Sequence, residues 1–303
     1  MSQVNLGGPE VPVAEPPAAA GPRGGLVRAA GINSLGNVAS RVLGMVRGSV
    51  VAFVFGASGA TGAFDAVQAV PKMVYELLVG GMLSAALVPV LSEYATPERR
   101  EELDHLLSVL LTLASAALIG VVLVLEVGAR VFVPLLVGGF EAELLDTATR
   151  LTRIMVPAVL VYGISGLIQA YHLARREFVY PALGGSAHNL GLIVTVLALA
   201  GKMDVSSLAV GVVVAATAQL LVQIPGLRGT RLRPRWDWHH PVIHRILRLY
   251  APVLVSVIVA NVGIVIDRNR DLAWRYPLVG AGLLALLYAG LALTRPPRRA
   301  SHA

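Results

Sequence analysis

The fold turns on residues 31–56, GINSLGNVASRVLGMVRGSVVAFVFG. A helix rises 1.5 Å per residue, so this run more than spans a hydrocarbon core of about 30 Å. At about 100° per residue, Gly36, Arg47, Ser40, Asn33, Gly44, Asn37, Gly48 and Arg41 fall within an arc of roughly 140°. Leu35, Val38, Val42, Met45 and Val46 cover the opposite side. An ionisable residue at the bilayer centre costs at least about 2.5–3.5 kcal/mol on insertion scales. A face carrying two arginines therefore belongs against a cavity or another helix, with the apolar side towards lipid.

Seven further runs of similar character lie downstream, near 66–95, 105–136, 151–174, 182–201, 206–226, 243–266 and 277–294. Hydrophobic residues make up 55% of the chain and charged residues 14%, with a mean hydropathy of +0.70. A soluble domain normally carries about 25% charged residues to cover its core. The expected class is thus an all-α polytopic integral membrane protein with about eight transmembrane helices. The third run is long for one span, so a turn is expected around Gly128–Arg130, followed by an interfacial piece. Residues 1–28 are rich in Pro, Gly and Ala without a continuous apolar segment, and read as a disordered tail rather than a signal peptide. There is no cysteine, which excludes disulfides, thiol nucleophiles and cysteine-based zinc sites.

Basic residues set the orientation. With eight spans and a cytoplasmic N-terminus, fifteen Lys and Arg fall on the cytoplasmic side and seven opposite, while Arg41, Arg47 and Lys72 lie within spans. Both termini are therefore expected in the cytoplasm. The loop from Arg228 to Arg248 also holds Trp236, Trp238, His239, His240 and His244. It is flanked by membrane spans, so it reads as a cytoplasmic loop at anionic headgroups with its tryptophans at the interface. Nucleic acid is not an expected partner.

The second span repeats the polar stripe of the first. Asp65, Gln68, Lys72, Glu76 and Gly80 are spaced by three, four, four and four residues. Pro71 interrupts the helix there and predicts a kink. Lys72 and Glu76 are spaced to pair at i, i+4, and either Asp65 or Glu76 could reach Arg41 or Arg47. Such charges can simply fasten helices together, but five ionisable groups beside glycines on two consecutive spans favour a hydrated substrate pathway. Arginine suits a phosphate-bearing substrate, because its planar fork binds two oxygens at once. The candidate cavity residues are Arg41, Arg47, Asp65, Lys72, Glu76, Asn37 and Gly44. Gln169, Tyr171, His172, His188, Asn189, Gln219, Gln223 and Asn261 read as interhelical hydrogen-bonding residues. No catalytic triad, metal-ligand set or phosphate loop is visible, so neither an enzyme nor a cofactor is expected.

Several motifs carry a family resemblance: Ser40-Arg41-Val42-Leu43-Gly44 with Arg47, Phe55-Gly56-Ala57, Ala63-Phe64, Pro71 to Gly81, Ser84, Val88-Pro89 and Ser92-Glu93-Tyr94. Pro181-Ala182 with Asn189, and Pro225 ahead of a basic loop, fit the same pattern. Over roughly Ala29 to Asn269 the chain resembles the MurJ/MviN family of lipid II flippases, in the superfamily of multidrug, oligosaccharidyl-lipid and polysaccharide exporters. The resemblance implies alternating-access transport of an undecaprenyl-diphosphate-linked peptidoglycan precursor across the bacterial cytoplasmic membrane. It places Arg41 and Arg47 on cavity positions that engage the anionic headgroup, and implies cell-wall synthesis proteins as partners. Three positions depart from the family pattern. Gly62 stands where an aspartate is usual, Tyr75 where a cavity arginine is, and Gly80 where a glutamate is.

The family has about fourteen spans in two lobes. The resemblance thus divides the chain into a tail (1–28), a six-helix transporter lobe (29–226), a basic cytoplasmic loop (227–242), two helices of an incomplete second lobe (243–294) and a basic cytoplasmic tail (295–303). An incomplete transporter is the expectation. The alternatives are a flippase for another polyprenyl-linked polysaccharide unit, a cation-coupled drug exporter and a non-transporting membrane scaffold.

Overall fold

The computed structural model describes residues 23–56, 58–69, 71–72, 86–137 and 140–251, with side chains from residue 31 onward except 32, 33, 135 and 136. Among the described residues every regular element is helical. The α-helices are α1 (Arg23–Phe55), α2 (Gly59–Val67), α3 (Val88–Ser92), α4 (Arg100–Leu136), α5 (Ala142–Met155), α6 (Pro157–Ala174), α7 (Val179–Met203) and α8 (Ser206–Gln223). A ninth, α9, starts at 241 and is described as far as 251. Five described stretches are long and apolar enough to cross a bilayer: Ser34–Phe55, Pro97–Pro134, Ala142–Ala174, Val179–Met203 and Ser206–Leu227. The expected span at 277–294 and most of the one at 243–266 lie outside the described residues.

The seam between α1 and α7 shows why the glycines of the first span sit where they do. Leu35, Val38, Val42, Met45 and Val46 are all well exposed on the outer surface of the bundle. The opposite edge packs on α7, where a Cβ added at Gly36 would lie 2.6 Å from the Cβ of Ala182. One at Gly185 would lie 2.5 Å from the hydroxyl of Ser40. Helices in lipid gain nothing from hydrophobic burial against each other, so close backbone approach and interhelical hydrogen bonds supply the association. The pairs Gly36–Ala182, Ser40–Gly185 and Gly44–Asn189 advance together in number, so α1 and α7 run parallel. Helices α7 and α8 run antiparallel, with Gly191 against Ala215 and Gly211 against Leu192.

Helix α2 opens on Ser58, whose hydroxyl accepts from the Thr61 amide at 3.2 Å. It ends at Val67, four residues before Pro71. Proline lacks the N–H that would bond the Val67 carbonyl, and its ring crowds that carbonyl. The chain turns at Gln68, and the Lys72 amide then donates to the Gln68 carbonyl at 3.2 Å. Helix α1 begins at Arg23, earlier than the tail boundary read from composition.

Helix α4 runs unbroken from Arg100 to Leu136, so the turn expected around Gly128–Arg130 is absent. A glycine costs a helix about 1 kcal/mol, whereas backbone groups left unpaired in hydrocarbon cost several kcal/mol each. Continuing the helix is the cheaper solution.

Two apolar cores stack along α4 and α6. One joins α3, the first turns of α4, the end of α6 and α9 through Leu91, Leu107, Tyr171 and Ile246. The other joins α2, the end of α4, α5, α6, α7 and α8 through Phe64, Val133, Leu151, Tyr162, Val196 and Leu208. At the first end, buried Asp104 accepts from the Tyr171 hydroxyl at 2.9 Å and from the Arg231 amide at 3.1 Å. The Arg233 and Arg235 amides donate to Ser108 and Thr112 at 3.2 and 3.0 Å. Arg245 of α9 makes a two-pronged pair with Glu93, both contacts at 2.7 Å. The start of α4, the end of α6 and the Arg228–His240 segment thus meet at one end of the bundle.

Candidate functional site

A cavity of about 490 Å³ lies between α1, α2 and its continuation, α6, α7 and α8. That volume is typical of small-ligand sites, about 300–1,000 Å³. Helix α1 contributes Ser40 and Arg47; the next segment contributes Asp65, Gln68, Pro71 and Lys72. Tyr162 of α6, His188 and Asn189 of α7, and Gln219 of α8 complete its polar wall.

Local geometry fixes these groups. The Asn189 amide donates to the Ser40 carbonyl at 3.0 Å and to the Gly185 carbonyl at 3.1 Å, tying α1 to α7 at the cavity edge. Gln68 donates to Asp65 at 2.7 Å, which satisfies one carboxylate oxygen within the wall. The His188 ring lies 5.8 Å from that of Tyr162, and its Nδ1 is buried without a hydrogen-bond partner. Arg47, Lys72, Asp65 and several amide or hydroxyl groups therefore line one space. Such a set can hold an anionic ligand bearing hydroxyl groups, with Arg47 offering a bidentate fork.

Of the candidate residues, Arg47, Asp65 and Lys72 line the cavity. Gly44 sits at its rim, where an added Cβ would be 3.8 Å from the Asn189 amide nitrogen. Arg41 and Asn37 are exposed and lie off the cavity wall. Glu76, like Tyr75 and Gly80, falls outside the described residues. Among the described residues no ion pair joins Asp65 to either arginine.

Residue type and position alone assign His188, Asn189 and Gln219 to helix fastening. Asn189 does fasten α1, yet all three also face the cavity. The signal that could have found the pair on α7 is Gly184-Gly185 one turn earlier, which marks the face where another backbone comes close. His172 and Gln223 are interhelical as expected: His172 donates from Nε2 to the Gln223 carbonyl at 3.0 Å, and Gln223 to Ser165 at 2.7 Å.

Comparison with known proteins gives a consistent picture. The family described as "Lipid II flippase MurJ" matches residues 51–291. The lipid II flippase MurJ of Burkholderia cenocepacia is 29% identical over 240 residues, which are 76% of this chain and 46% of that protein. The chain spans about half the length of the curated relatives it matches. Among solved structures, lipid II flippase MurJ in an inward closed conformation aligns with a TM-score of 0.63 at 21% identity, over 78% of this chain and 50% of that one. An outward-facing multidrug resistance transporter of the MATE family and MOP superfamily aligns at the same TM-score with 15% identity, over 89% of this chain and 62% of that one. Identities this low bear on the fold alone.

Proposed function

The chain belongs to the lipid II flippase MurJ family, a family of membrane transporters, and from that premise we propose that it forms the first lobe of a flippase for an undecaprenyl-diphosphate-linked peptidoglycan precursor. In this reading the headgroup enters the cavity between α1 and α7, and the lobe rocks against a second one so that the cavity opens to each side of the membrane in turn. The observation that carries it is that Arg47 and Lys72 both line one cavity with a polar wall. A diphosphate has the charge and oxygen geometry that an arginine fork binds best.

The lobe is proposed to comprise residues 29–226, with 227–242 as the connection to the second lobe. The end of the bundle holding Arg99, Arg100, Arg175 and Arg228–Arg235 is proposed to face the cytoplasm of a bacterial cell, because its basic residues outnumber those opposite. Gly62, exposed and without neighbours within 4 Å of an added Cβ, supplies no carboxylate where the family usually has one. That position favours a second reading, in which the cargo is another polyprenyl-diphosphate-linked glycan.

The test is the appearance of labelled lipid II in the outer leaflet of vesicles containing the whole transporter. Arg47→Ala should slow it by about tenfold or more, the worth of a charge-assisted hydrogen bond of about 1.5–3 kcal/mol. Unchanged flipping would overturn the headgroup role. A normal rate only with a different polyprenyl-diphosphate glycan would select the second reading.

A further inference from the structure

The segment that leaves α8 is strapped to α4 by its backbone. The amides of Arg231, Arg233 and Arg235 bond the side chains of Asp104, Ser108 and Thr112 in turn. These are alternate residues of an extended chain against every fourth residue of a helix, so the strap runs parallel to α4. Alternate residues of an extended chain share a face. The three arginines accordingly line one recess of about 250 Å³ with Glu101, Asp104, His105 and Ser108. Asp104 is already engaged by Tyr171 and the Arg231 amide, which leaves Glu101 as the facing carboxylate.

Depth comes from the sequence of α4. Residues 109–125 contain only Thr112 and Ser115 as polar residues, so the hydrocarbon begins near Val109. The last rung, at Thr112, is about one turn inside that boundary. Beyond it the chain reverses, because the His240 ring returns to within 6.0 Å of that of His105. The reversal carries Trp236 and Trp238, exposed by 70% and 51%. Tryptophan favours the headgroup level of a bilayer. From Arg228 to His240 the segment has four arginines against Asp237 alone.

We propose that residues 228–240 form a preorganised site for an anionic phospholipid of the adjacent leaflet. Arg231, Arg233 and Arg235 meet the headgroup phosphate, and Trp236 and Trp238 seat at the level where headgroup meets acyl chain. The site is distinct from the transport cavity, and neither it nor its test requires the flippase reading.

The test uses the full chain with Trp274→Phe, which leaves Trp236 and Trp238 as its tryptophans. In nanodiscs containing phosphatidylcholine brominated near the headgroup or deep in the chain, the shallow bromines should quench strongly and the deep ones weakly. Quenching by aqueous acrylamide, with none by either brominated lipid, would overturn the proposal. In detergent, the affinity for short-chain phosphatidylglycerol should exceed that for phosphatidylcholine. It should fall about fivefold for each arginine replaced in the series R231Q, R233Q and R235Q. These changes keep the strap, because its rungs use backbone amides. Equal phosphatidylglycerol affinity in the triple variant, or affinity for a short RNA in place of lipid, would also overturn it. Equal affinity of the native protein for phosphatidylglycerol and phosphatidylcholine would overturn the proposal as well, and that comparison decides the matter even if the triple variant fails to fold.

Discussion

Asn189 reaches from α7 to the main chain of α1, where its amide nitrogen lies 3.0 Å from the Ser40 carbonyl oxygen. The same nitrogen is 3.1 Å from the carbonyl of Gly185, so both of its hydrogens are used. Interhelical hydrogen bonds in membrane proteins average about 0.6 kcal/mol, with a maximum near 1.7. Asn189→Ala is expected to lower stability by about 0.6–1.7 kcal/mol, read as a drop in the midpoint of thermal unfolding in detergent. An unchanged midpoint would mean that this contact does not hold α1 in place.

The same seam makes opposite predictions for two glycines of one helix. Gly36→Ala brings its new methyl group against Ala182, where both the Cβ and the carbonyl oxygen are closer than real side chains tolerate. Overpacking of this kind costs about 1–3 kcal/mol. Gly48→Ala meets nothing within 4 Å and should be neutral, or stabilise by about 0.5–1 kcal/mol through helix propensity. Adding Ala182→Gly to Gly36→Ala should restore only part of the loss, because the carbonyl oxygen stays. Thermal unfolding of the four proteins checks the set.

For ligand binding, the two arginines of α1 should separate. Arg47 lines the cavity and Arg41 does not, so Arg47→Ala should weaken binding of undecaprenyl diphosphate by tenfold or more, and Arg41→Ala by less. Arg47→Lys keeps the charge but loses the planar fork, and should fall between them. Native mass spectrometry of the lipid-bound protein measures all three. Equal losses at 41 and 47 would contradict a cavity lined by Arg47 alone of the two.

Removing the first rung of the strap should expose the chain it holds. Asp104→Ala strips the acceptor from the Arg231 amide, whereas the Tyr171 hydroxyl keeps Thr230 as a partner; leaving the amide unpaired costs about 1–3 kcal/mol. Local opening governs cleavage when closing is fast. Trypsin should therefore cut after Arg228, Arg231 and Arg235 about tenfold faster or more in this variant, as followed by gel densitometry. Wild-type cleavage rates would show that the strap holds without Asp104.

How far each feature is legible in the sequence depends on what determines it. The apolar side of α1 was legible because it depends only on periodicity within one helix: Leu35, Val38, Val42, Met45 and Val46 are all exposed, while on the polar arc Gly36, Ser40 and Gly44 meet α7 and Asn37, Arg41 and Gly48 are exposed as well. The break in α2 was legible because Pro71 acts on its own carbonyl neighbour. His188 and Gln219 were not legible as cavity residues, since which wall a polar side chain faces depends on the helix opposite it. Gly128 misled because glycine's cost in a helix is smaller than that of breaking one in hydrocarbon. The strap had no signature in residue types, since its donors are main-chain amides that every residue except proline carries.

The strap also works as a vernier. Four residues of helix advance about 6.0 Å and two residues of extended chain about 6.7 Å, so each successive rung slips by about 0.7 Å. Three rungs absorb two such slips, with contacts still between 3.0 and 3.2 Å. A fourth would bring residue 237 towards Ala116, further out of phase and without an acceptor. The ladder thus ends after Arg235, where Ala116 offers no side-chain acceptor to a further rung, and the side-chain pattern of α4 marks the depth at which the chain turns back.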